Sequence, residues 1–264
     1  MIQPFRLLLC KAEEVNGYGK CDKKCGLRGS KMAKLYFRYG AMGSSKSANV
    51  LMVRYNYEER GQYAVLLKPR TDQRDGANVI QSRMGLSAPA EYVDEFLAEI
   101  GKTWSKDSEE YCYHGQKVNA VLVDEAQFLS AEEVDVLSDL VDFYGIPVLC
   151  YGLKTDFQNH VFEGSRRLME VADVIEEVPT VCWCGRRAKC NARFADGKIV
   201  REGAQIMLGS NESYVALCRK HFKIPEMIEP VVLIPFGYPS DPALFDETPK
   251  KRKPIEEIIK RESF

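Results

Sequence analysis

The feature that most constrains the fold is a short loop between a strand-like segment and a helix-like segment. The loop GAMGSSKS, residues 40–47, fits the phosphate-loop pattern G-x-x-x-x-G-K-[ST], except that Ser45 replaces the second glycine. AKLYFRYG before it has the aromatic and apolar content of a strand, and SANVLMVRYNYEERG after it has apolar residues at helical spacing. In this context the loop N–H groups and the helix N-terminus would face an anion together.

The chemistry of such a loop assigns roles to its last two residues. Lys46 would reach the outer phosphates of a nucleotide, and Ser47 would offer its hydroxyl to magnesium. Ser45 costs about 1 kcal/mol or more if its position needs a positive φ, but serine could adopt αR-like angles without that penalty. The alternative interpretation is a small-residue turn before a helix, and the preceding strand argues against it.

Strand-like and helix-like segments alternate after the loop. The near-continuous apolar run IPVLCYGL is typical of a parallel strand that is covered on both faces. The alternation predicts an α/β fold, a P-loop (RecA-like) domain with a mostly parallel sheet flanked by helices. Strands are expected in QYAVLLKP, VNAVLV and IPVLCYGL, and helices in PAEYVDEFLAEIG (residues 89–101) and SAEEVDVLSDLVDFYG, the latter with a capping box at Ser130 and Glu133.

Two acids follow the buried strand in VLVDEAQF. The carboxyl end of a strand in an open α/β sheet is the edge that holds a ligand. Asp124 would hold magnesium through water, and Glu125 would then be available as a general base. A polar turn at a strand end is the alternative, and the letters DEAQ also resemble the acidic box of helicase-like ATPases. A helicase core needs two such domains and a basic track, which a chain of 264 residues with a net charge of -1 does not supply.

Cysteine and histidine pairs late in the chain indicate a metal site. Cys182 and Cys184 form C-x-C, and Cys218 and His221 form C-x-x-H. Four soft ligands in two pairs suit tetrahedral structural zinc, with no position left open for chemistry. Cys190 is a possible replacement for one of the four, and buried unligated cysteines are the alternative to a metal.

Bulk composition restricts the partners. The net charge of -1 lacks the basic excess of a nucleic-acid binder, so no nucleic-acid partner is expected. No run of about 18 apolar residues exists, so no membrane span is expected. The start of the chain does not have the pattern of a secretory signal, and nine cysteines in such a chain favour metal ligation or reduced thiols. A cytoplasmic location is therefore expected.

Changes in residue composition and pattern along the chain also predict a domain division. We expect a mobile N-terminal extension over residues 1–32 and the nucleotide-binding α/β domain over residues 33–179. The cysteine-bearing segment, residues 180–222, would form a small zinc-stabilised lobe of short strands and loops. Residues 223–264, rich in proline and ending in a charged segment, would form a C-terminal tail.

These motifs, in this order, resemble the zinc-containing, lasso-type thymidine kinase family. KLYFRYGAMGSSKS, KPRTDQR, SRMGL, VLVDEAQFL, YGLKTDFQ, CWCGRRA and GSNESYVALCRKH carry the resemblance, which spans about residues 33 to 222. It implies transfer of the γ-phosphate of ATP, with Mg²⁺, to the 5′-hydroxyl of thymidine, and acceptance of deoxyuridine as well. It also implies a homotetramer inhibited by dTTP. A catalytically weak nucleotide-binding protein with a loop spoiled by Ser45 is the alternative within this resemblance.

The resemblance also implies roles for individual residues. Glu125 matches the catalytic base, and Asn191 stands where many relatives carry a different small polar residue, which affects the strictness of base choice. The residues implied at the phosphates are Gly40, Ala41, Met42, Gly43, Ser44, Ser45, Lys46, Ser47 and Arg74; those at magnesium are Ser47, Asp124 and Asp72; those at the nucleoside are Met42, Gln127, Phe128, Leu153, Phe157, Asn191 and Tyr214; and those at zinc are Cys182, Cys184, Cys218 and His221.

Overall fold

A twisted, mostly parallel sheet forms the centre of the protein, as seen in a computed structural model. The structure describes residues 33–72, 76, 78–105, 108, 110–195, 198–203, 205 and 214–223. All of them belong to one compact unit that ends at Glu226. The predicted N-terminal extension (residues 1–32), the predicted tail beyond Lys223 and the predicted site residue Arg74 lie outside the described residues.

Six strands pair in parallel in the order β5-β2-β7-β8-β1-β9, and the short β6 pairs antiparallel with β7. The sequence prediction of an α/β fold with a mostly parallel sheet is confirmed. The strands are β1 (Leu35–Tyr39), β2 (Tyr63–Lys68), β5 (Glu91–Tyr92), β6 (Cys112–Tyr113), β7 (Gln116–Val123), β8 (Val148–Gly152) and β9 (Val174–Glu177). The helices beside them are α1 (Lys46–Glu58), α2 (Val93–Thr103), α3 (Ala131–Asp142) and α4 (Glu163–Val171).

Side-chain alternation along the strands builds a core on each face of the sheet. Val65 and Leu67 of β2 pack with one core, together with apolar residues of α2, α3 and α4. Ala64 and Leu66 point the other way and pack with Val50 and Leu51 of α1. Because both faces are covered, the central strands carry long apolar runs without strict alternation, which is the pattern seen in IPVLCYGL.

Parallel pairing brings the ends of the central strands to one edge of the sheet. β8 pairs with β1 on one side and with β7 on the other, with Leu149 opposite both Tyr36 and Leu122. The phosphate-loop residues follow β1, the acid pair follows β7, and Leu153 follows β8. Residues from three separate sequence segments therefore meet at the carboxyl edge.

The sequence predicted the start of α3 correctly and the start of α2 incorrectly. The capping box predicted at Ser130 and Glu133 is confirmed: the Ser130 hydroxyl accepts from the Glu133 N–H, and the Glu133 carboxylate accepts from the Ser130 N–H. The predicted helix start at Pro89 is wrong. Ser87–Pro89 (β4) pairs with Val79–Gln81 (β3) and Tyr92 pairs with Lys68, so these residues are extended and α2 begins at Val93.

A second, smaller sheet carries the cysteine-bearing segment. Its three antiparallel strands, β10 (Cys190–Ala195), β11 (Lys198–Val200) and β12 (Tyr214–Leu217), have the order β11-β10-β12. The short helix α5 (Arg219–Phe222) follows β12, and Phe222 packs with Leu217 and Ala192 in a core of its own. None of the helices in the described part of the chain has the length and apolar character of a membrane span.

The start of α4 packs closely on the turn that follows the acid pair. A Cβ at Gly164 would lie 2.6 Å from the Leu129 carbonyl oxygen and 2.7 Å from the Ala126 carbonyl oxygen. Both atoms belong to backbone, which cannot move aside as a flexible side chain can. Only a residue without a side chain fits there, so Gly164 sets the distance between α4 and the turn.

Replacing Gly164 by alanine should destabilise the protein, although alanine normally favours helices. We expect Gly164→Ala to lower the free energy of unfolding by about 1–3 kcal/mol through overpacking. The matched control is Gly101→Ala in α2. Because Gly101 is exposed, its replacement should raise the free energy of unfolding by about 0.5–1 kcal/mol. Denaturant unfolding of the three proteins measures both changes, and equal stabilities of the two variants would contradict the close contact.

Candidate active site

The phosphate loop, residues 40–47, wraps around the ammonium group of Lys46. Lys46 lies at the first position of α1, and its Nζ donates to the carbonyl oxygens of Gly40 (3.3 Å) and Ala41 (3.0 Å) and to Ser44 Oγ (3.2 Å). Gly40 has no room for a side chain, since a Cβ would meet Ser44 Oγ and would lie 2.5 Å from the Val178 carbonyl oxygen. The loop is thus closed tightly enough to hold its lysine inside.

Ser45 adopts the left-handed conformation that the glycine of the usual pattern provides. Its φ is 59° and its ψ is 27°, so the expectation that serine could avoid a positive φ here is wrong. The loop must turn sharply from Ser44 into the first turn of α1, and that turn imposes the angle whatever the residue. The Ser45 side chain makes no capping hydrogen bond to the helix, so the side chain does not offset the strain of the left-handed backbone.

The acid pair lies next to the loop at the same edge of the sheet. The Ser47 hydroxyl donates to the Asp124 carboxylate, and the Glu125 N–H donates to Asp124 Oδ1 over 3.0 Å. Burial, and next the charge of Glu125, raise the pKa of Asp124, while the bond from Ser47 and the charge of Lys46 oppose this shift. An additional cation beside Asp124 would favour its ionised form. A hydroxyl and carboxylates are the oxygen ligands that suit Mg²⁺, so these residues fit that ion.

Glu125 is held by both its backbone and its side chain. Its φ of 52° is left-handed, and it precedes a short 3₁₀ turn, Ala126–Phe128. The carboxylate Oε2 accepts from Gln127 Nε2, and Gln127 Oε1 accepts from the Leu153 N–H over 2.9 Å. Only 7 % of the Glu125 surface and 2 % of the Gln127 surface is exposed. The amide of Gln127 therefore links the proposed base to the end of β8.

A cavity of about 350 Å³ opens in front of these groups. Predicted site residues line it from the phosphate loop, from the turn after β7 that carries the acid pair, and from the end of β8. Gln81 to Gly85, at the turn between β3 and β4, also line the cavity. The sequence analysis assigned them no role, although four of these five residues belong to the SRMGL motif. The predicted residues in the wall are Met42, Gly43, Ser44, Ser45, Lys46, Ser47, Glu125 and Leu153.

Asp72 lies close to a buried lysine that sequence reasoning missed. Lys68, at the end of β2, is fully buried and its Nζ lies 3.8 Å from Asp72 Oδ2. The same Nζ donates to the carbonyl oxygens of Gly76 and Val79. A lysine in an apolar strand of the sheet is the signal that could have identified this anchor, because lysine is almost never fully buried without a partner.

Phe157 and Tyr214, both predicted to lie at the nucleoside, contact Arg193, to which the sequence analysis assigned no role. The Arg193 guanidinium stacks on the Phe157 ring, with Cζ 3.7 Å from the ring centroid, and its Nε donates to the Tyr214 hydroxyl over 2.7 Å. Only 4 % of the Arg193 surface is exposed. The structure thus brings Phe157 of one segment and Tyr214 of another together through a buried cation. Phe128 lies apart from this group and packs edge to face on Phe162.

Asn191 connects the small sheet to the phosphate loop. Its Oδ1 accepts from the Met42 N–H over 2.8 Å, and its Nδ2 donates to the Thr155 carbonyl oxygen over 2.8 Å. The side chain is 3 % exposed. Both ends of the amide are therefore bonded to backbone, and one residue of β10 fixes the loop after β1 and the loop after β8.

The predicted zinc residues form one compact group. Among the described residues, the ligand atoms of Cys182, Cys184, Cys218 and His221 all lie within 4.8 Å of one another, and Cys190 is outside the group. Cys184 Sγ lies 3.8 Å from Cys218 Sγ, and His221 Nδ1 lies 3.2 Å from Cys182 Sγ and 3.6 Å from Cys218 Sγ. Tetrahedral zinc with bonds of about 2.3 Å to sulfur and about 2.0 Å to nitrogen requires separations of roughly 3.5–3.8 Å.

Backbone donors at the start of α5 prepare one of these thiols. Cys218 is the N-cap residue of α5, and its side chain makes no regular capping hydrogen bond. The nearby backbone N–H groups, that of His221 first, lower the pKa of Cys218. A thiolate is the form of cysteine that binds a metal, so this shift favours binding at Cys218, whereas burial raises the pKa of Cys182. Three thiols and one imidazole are a ligand set that suits zinc.

A phosphate-loop motif beside a buried acid pair, with Glu125 of that pair lining the same cavity as the loop, is typical of P-loop enzymes that transfer phosphoryl groups. The sequence profile of the thymidine kinase family matches residues 33–222. The chain is 42 % identical to the thymidine kinase of Lactococcus lactis over 197 residues, which cover 74 % of this chain and 100 % of that protein. It is 46 % identical to the thymidine kinase of Haemophilus influenzae over 193 residues, 73 % of this chain and 97 % of that protein.

The chain belongs to the thymidine kinase family. Members are nucleoside kinases, and membership implies thymidine and ATP as the substrates. The comparison favours the kinase interpretation of the acidic turn over the helicase-like one, because the match includes the loop, the acids and the cysteine-bearing segment together.

Ser45→Gly should relieve the strain in the loop. Glycine adopts the observed φ of 59° without the penalty of a side chain, so we expect a gain of about 0.5–1 kcal/mol in the free energy of unfolding. Ser45→Ala is the matched control, because it removes the hydroxyl and keeps the Cβ. Thermal and denaturant unfolding measure the effect, and equal gains in the two variants would show that φ is not the cause.

Proposed function

We propose that this protein transfers the γ-phosphate of ATP to the 5′-hydroxyl of thymidine, producing dTMP, and that it accepts deoxyuridine as well. The observation that carries the proposal is the shared cavity: the phosphate loop with Lys46 and Ser47 lines it together with Glu125. A phosphate donor and a hydroxyl acceptor can meet only where a cradle for phosphates and a proton acceptor face the same space.

The loop would bind the phosphates of ATP. Lys46 already donates to three oxygen atoms of the loop, and phosphate oxygens would take over these bonds and draw its charge toward the transferred group. Backbone N–H groups of the loop would supply further donors, apart from those of Gly40, Met42 and Ser44, which donate within the protein. Arg74, by family resemblance, would supply another cation. Ser47, Asp124 and Asp72 would hold the magnesium that accompanies ATP, whose charge offsets that of the phosphates.

Glu125 would accept the proton of the 5′-hydroxyl as the phosphoryl group is transferred. It lines the cavity beside the loop, is nearly buried, and is held by Gln127. The rest of the catalysis is positioning and electrostatics, since the protein forms no covalent bond to the phosphoryl group. A closed, water-poor site would direct the phosphate to the nucleoside and away from solvent.

The nucleoside would lie between the phosphate loop and the small sheet. Met42 and Leu153 line the cavity and would contact the thymine. By family resemblance, Phe128 and Phe157 would form aromatic walls around the base, and Tyr214 would lie over the deoxyribose and base. Gln127 and Asn191 complete the proposed set through their neighbours, since Gln127 is bonded to Leu153 and Asn191 to Met42. Support comes from the bonds that tie Met42 to Asn191 and Leu153 to Gln127, since they fix these residues in relation to one another.

Zinc would be structural in the small lobe. Cys182, Cys184, Cys218 and His221 would use all four positions of a tetrahedral ion, which leaves none for a substrate. The site joins the segment before β10 to the segment after β12 and would stabilise the lobe that carries Asn191 and Tyr214. We also propose the domain division at residues 33–179 and 180–222 on this basis.

Further proposed properties are inhibition by dTTP and a homotetrameric state, which rest on the family resemblance alone. A cytoplasmic location and the absence of a nucleic-acid partner are proposed as well. The free cysteines among the described residues support a reducing location, and the net charge of -1 supports the absence of a nucleic-acid partner.

The first experiment supplies the full chain with Mg·ATP and thymidine, deoxyuridine, deoxycytidine or deoxyguanosine. Thymidine monophosphate should be the main product. Glu125→Gln should lower turnover by roughly 10²–10⁴-fold and leave ATP binding intact, because it removes the proton acceptor alone. Normal turnover in Glu125→Gln would contradict the base role. Binding of ATP without any product would instead identify a weak nucleotide-binding protein.

The zinc proposal predicts close to one zinc per chain by metal analysis. Cys218→Ser should lose the metal and lower the melting temperature, because it removes one of four ligands. Cys190→Ser is the matched control, since Cys190 lies in the same lobe but outside the group of four. Zinc retained in Cys218→Ser and lost in Cys190→Ser would mean that Cys190 is a ligand and Cys218 is not.

A further inference from the structure

Gln127 is engaged at both ends of its amide, and each bond leads to a different part of the site. Its Oε1 accepts from the Leu153 N–H over 2.9 Å, and its Nε2 donates to Oε2 of Glu125. Glu125 follows β7 and Leu153 follows β8, so the amide spans the ends of two neighbouring parallel strands. Both Glu125 and Leu153 line the cavity in front of the loop.

The orientation of the amide follows from its partners. A backbone N–H can only donate, so the oxygen of Gln127 must face Leu153. The NH₂ group is then directed at Glu125, and it donates to the carboxylate oxygen Oε2. The chain thus offers a fixed donor to the carboxylate that faces the cavity.

The end of β8 is built to admit this amide. A Cβ at Gly152 would lie 2.7 Å from Gln127 Oε1 and 3.0 Å from the Gln127 backbone nitrogen. Any side chain at Gly152 would displace Gln127, so the glycine keeps the space that the amide fills. With 2 % of its surface exposed, Gln127 has little contact with solvent.

A glutamate needs such a support to act as a precise proton acceptor. Its side chain has three rotatable torsions, and a misplacement of about 1 Å at a reacting atom can lower a rate by about 10²-fold. The left-handed backbone of Glu125 fixes where the side chain begins. The bond from Gln127 fixes one of the two carboxylate oxygens, where the side chain ends.

We propose that Gln127 is a positioning residue that holds the Glu125 carboxylate toward the cavity by donating from Nε2 while Leu153 anchors its Oε1. Gln127 acts through Glu125 and not through a direct contact with the thymine base. This inference rests on the proposed function, in which Glu125 accepts the proton of the 5′-hydroxyl.

The test uses two variants of the full chain with Mg·ATP and thymidine. Gln127→Glu keeps an acceptor for the Leu153 N–H but removes the donor to Glu125. Gln127→Met, of similar volume, removes both bonds. We expect kcat to fall roughly 10- to 100-fold in each, with the KM values for thymidine and ATP within about 3-fold of the wild type. Gln116→Met, at the exposed start of β7, is the control and should match the wild type.

A second measurement separates positioning from general support of the fold. In the Glu125→Gln background, Gln127→Met should lower the residual turnover by less than about 3-fold, because the group that Gln127 holds is already disabled. Zinc content and melting temperature of each variant identify any loss of the folded state. Gln127→Glu retains the Leu153 bond and keeps the test valid if Gln127→Met folds poorly.

Other outcomes would overturn the proposal in distinguishable ways. A raised KM for thymidine with unchanged kcat would show that Gln127 contacts the nucleoside. Equal fold-losses in the presence and absence of the Glu125 carboxylate would show that Gln127 acts independently of Glu125. A wild-type protein that forms no thymidine monophosphate would overturn the proposed function itself, whereas active wild type with active Gln127 variants would overturn only the positioning role.

Discussion

The parallel pairing of β1, β8 and β7 is the constraint on which the site depends. Each strand ends at the same edge, so the loops that follow them share one space. Had β1 or β7 run in the opposite direction, the phosphate loop and the acid turn would lie at opposite ends of the sheet. Apolar side chains on both faces of these strands enforce the pairing, because each face is buried under helices.

Short polar bridges then convert this coarse arrangement into a defined geometry. The bond of Ser47 to Asp124 joins the loop after β1 to the turn after β7, and the bond of Gln127 to Leu153 joins that turn to the loop after β8. Asn191, in the small sheet, joins the loop after β1 to the loop after β8. These groups are buried or half-buried, where an unpaired polar atom is costly, so each bridge favours one arrangement of the loops over others.

Much of this protein could be predicted from local signals in the sequence. The strand–loop–helix unit around Lys46, the acid pair, the capping box of α3 and the grouping of three cysteines with His221 all depend on residue spacing within a segment, or on a chemistry that few residues share. The start of α2 was the exception, because pairing of Tyr92 with Lys68 outweighed the helix signal of Pro89. The roles assigned to the site residues stay proposals, and Arg74 lies outside the described residues.

The sequence by itself determined the fold class, the family and the residue types that chemistry requires, since periodicity and motif spacing are properties of neighbouring residues. Only the tertiary structure decided that Ser45 takes a positive φ, that Lys68 and Arg193 are buried among specific partners, and that Gln127 and Asn191 each join two distant segments. The physical reason is that a side chain's partner depends on which segments the sheet brings within about 3 Å. No pattern along the chain contains that distance.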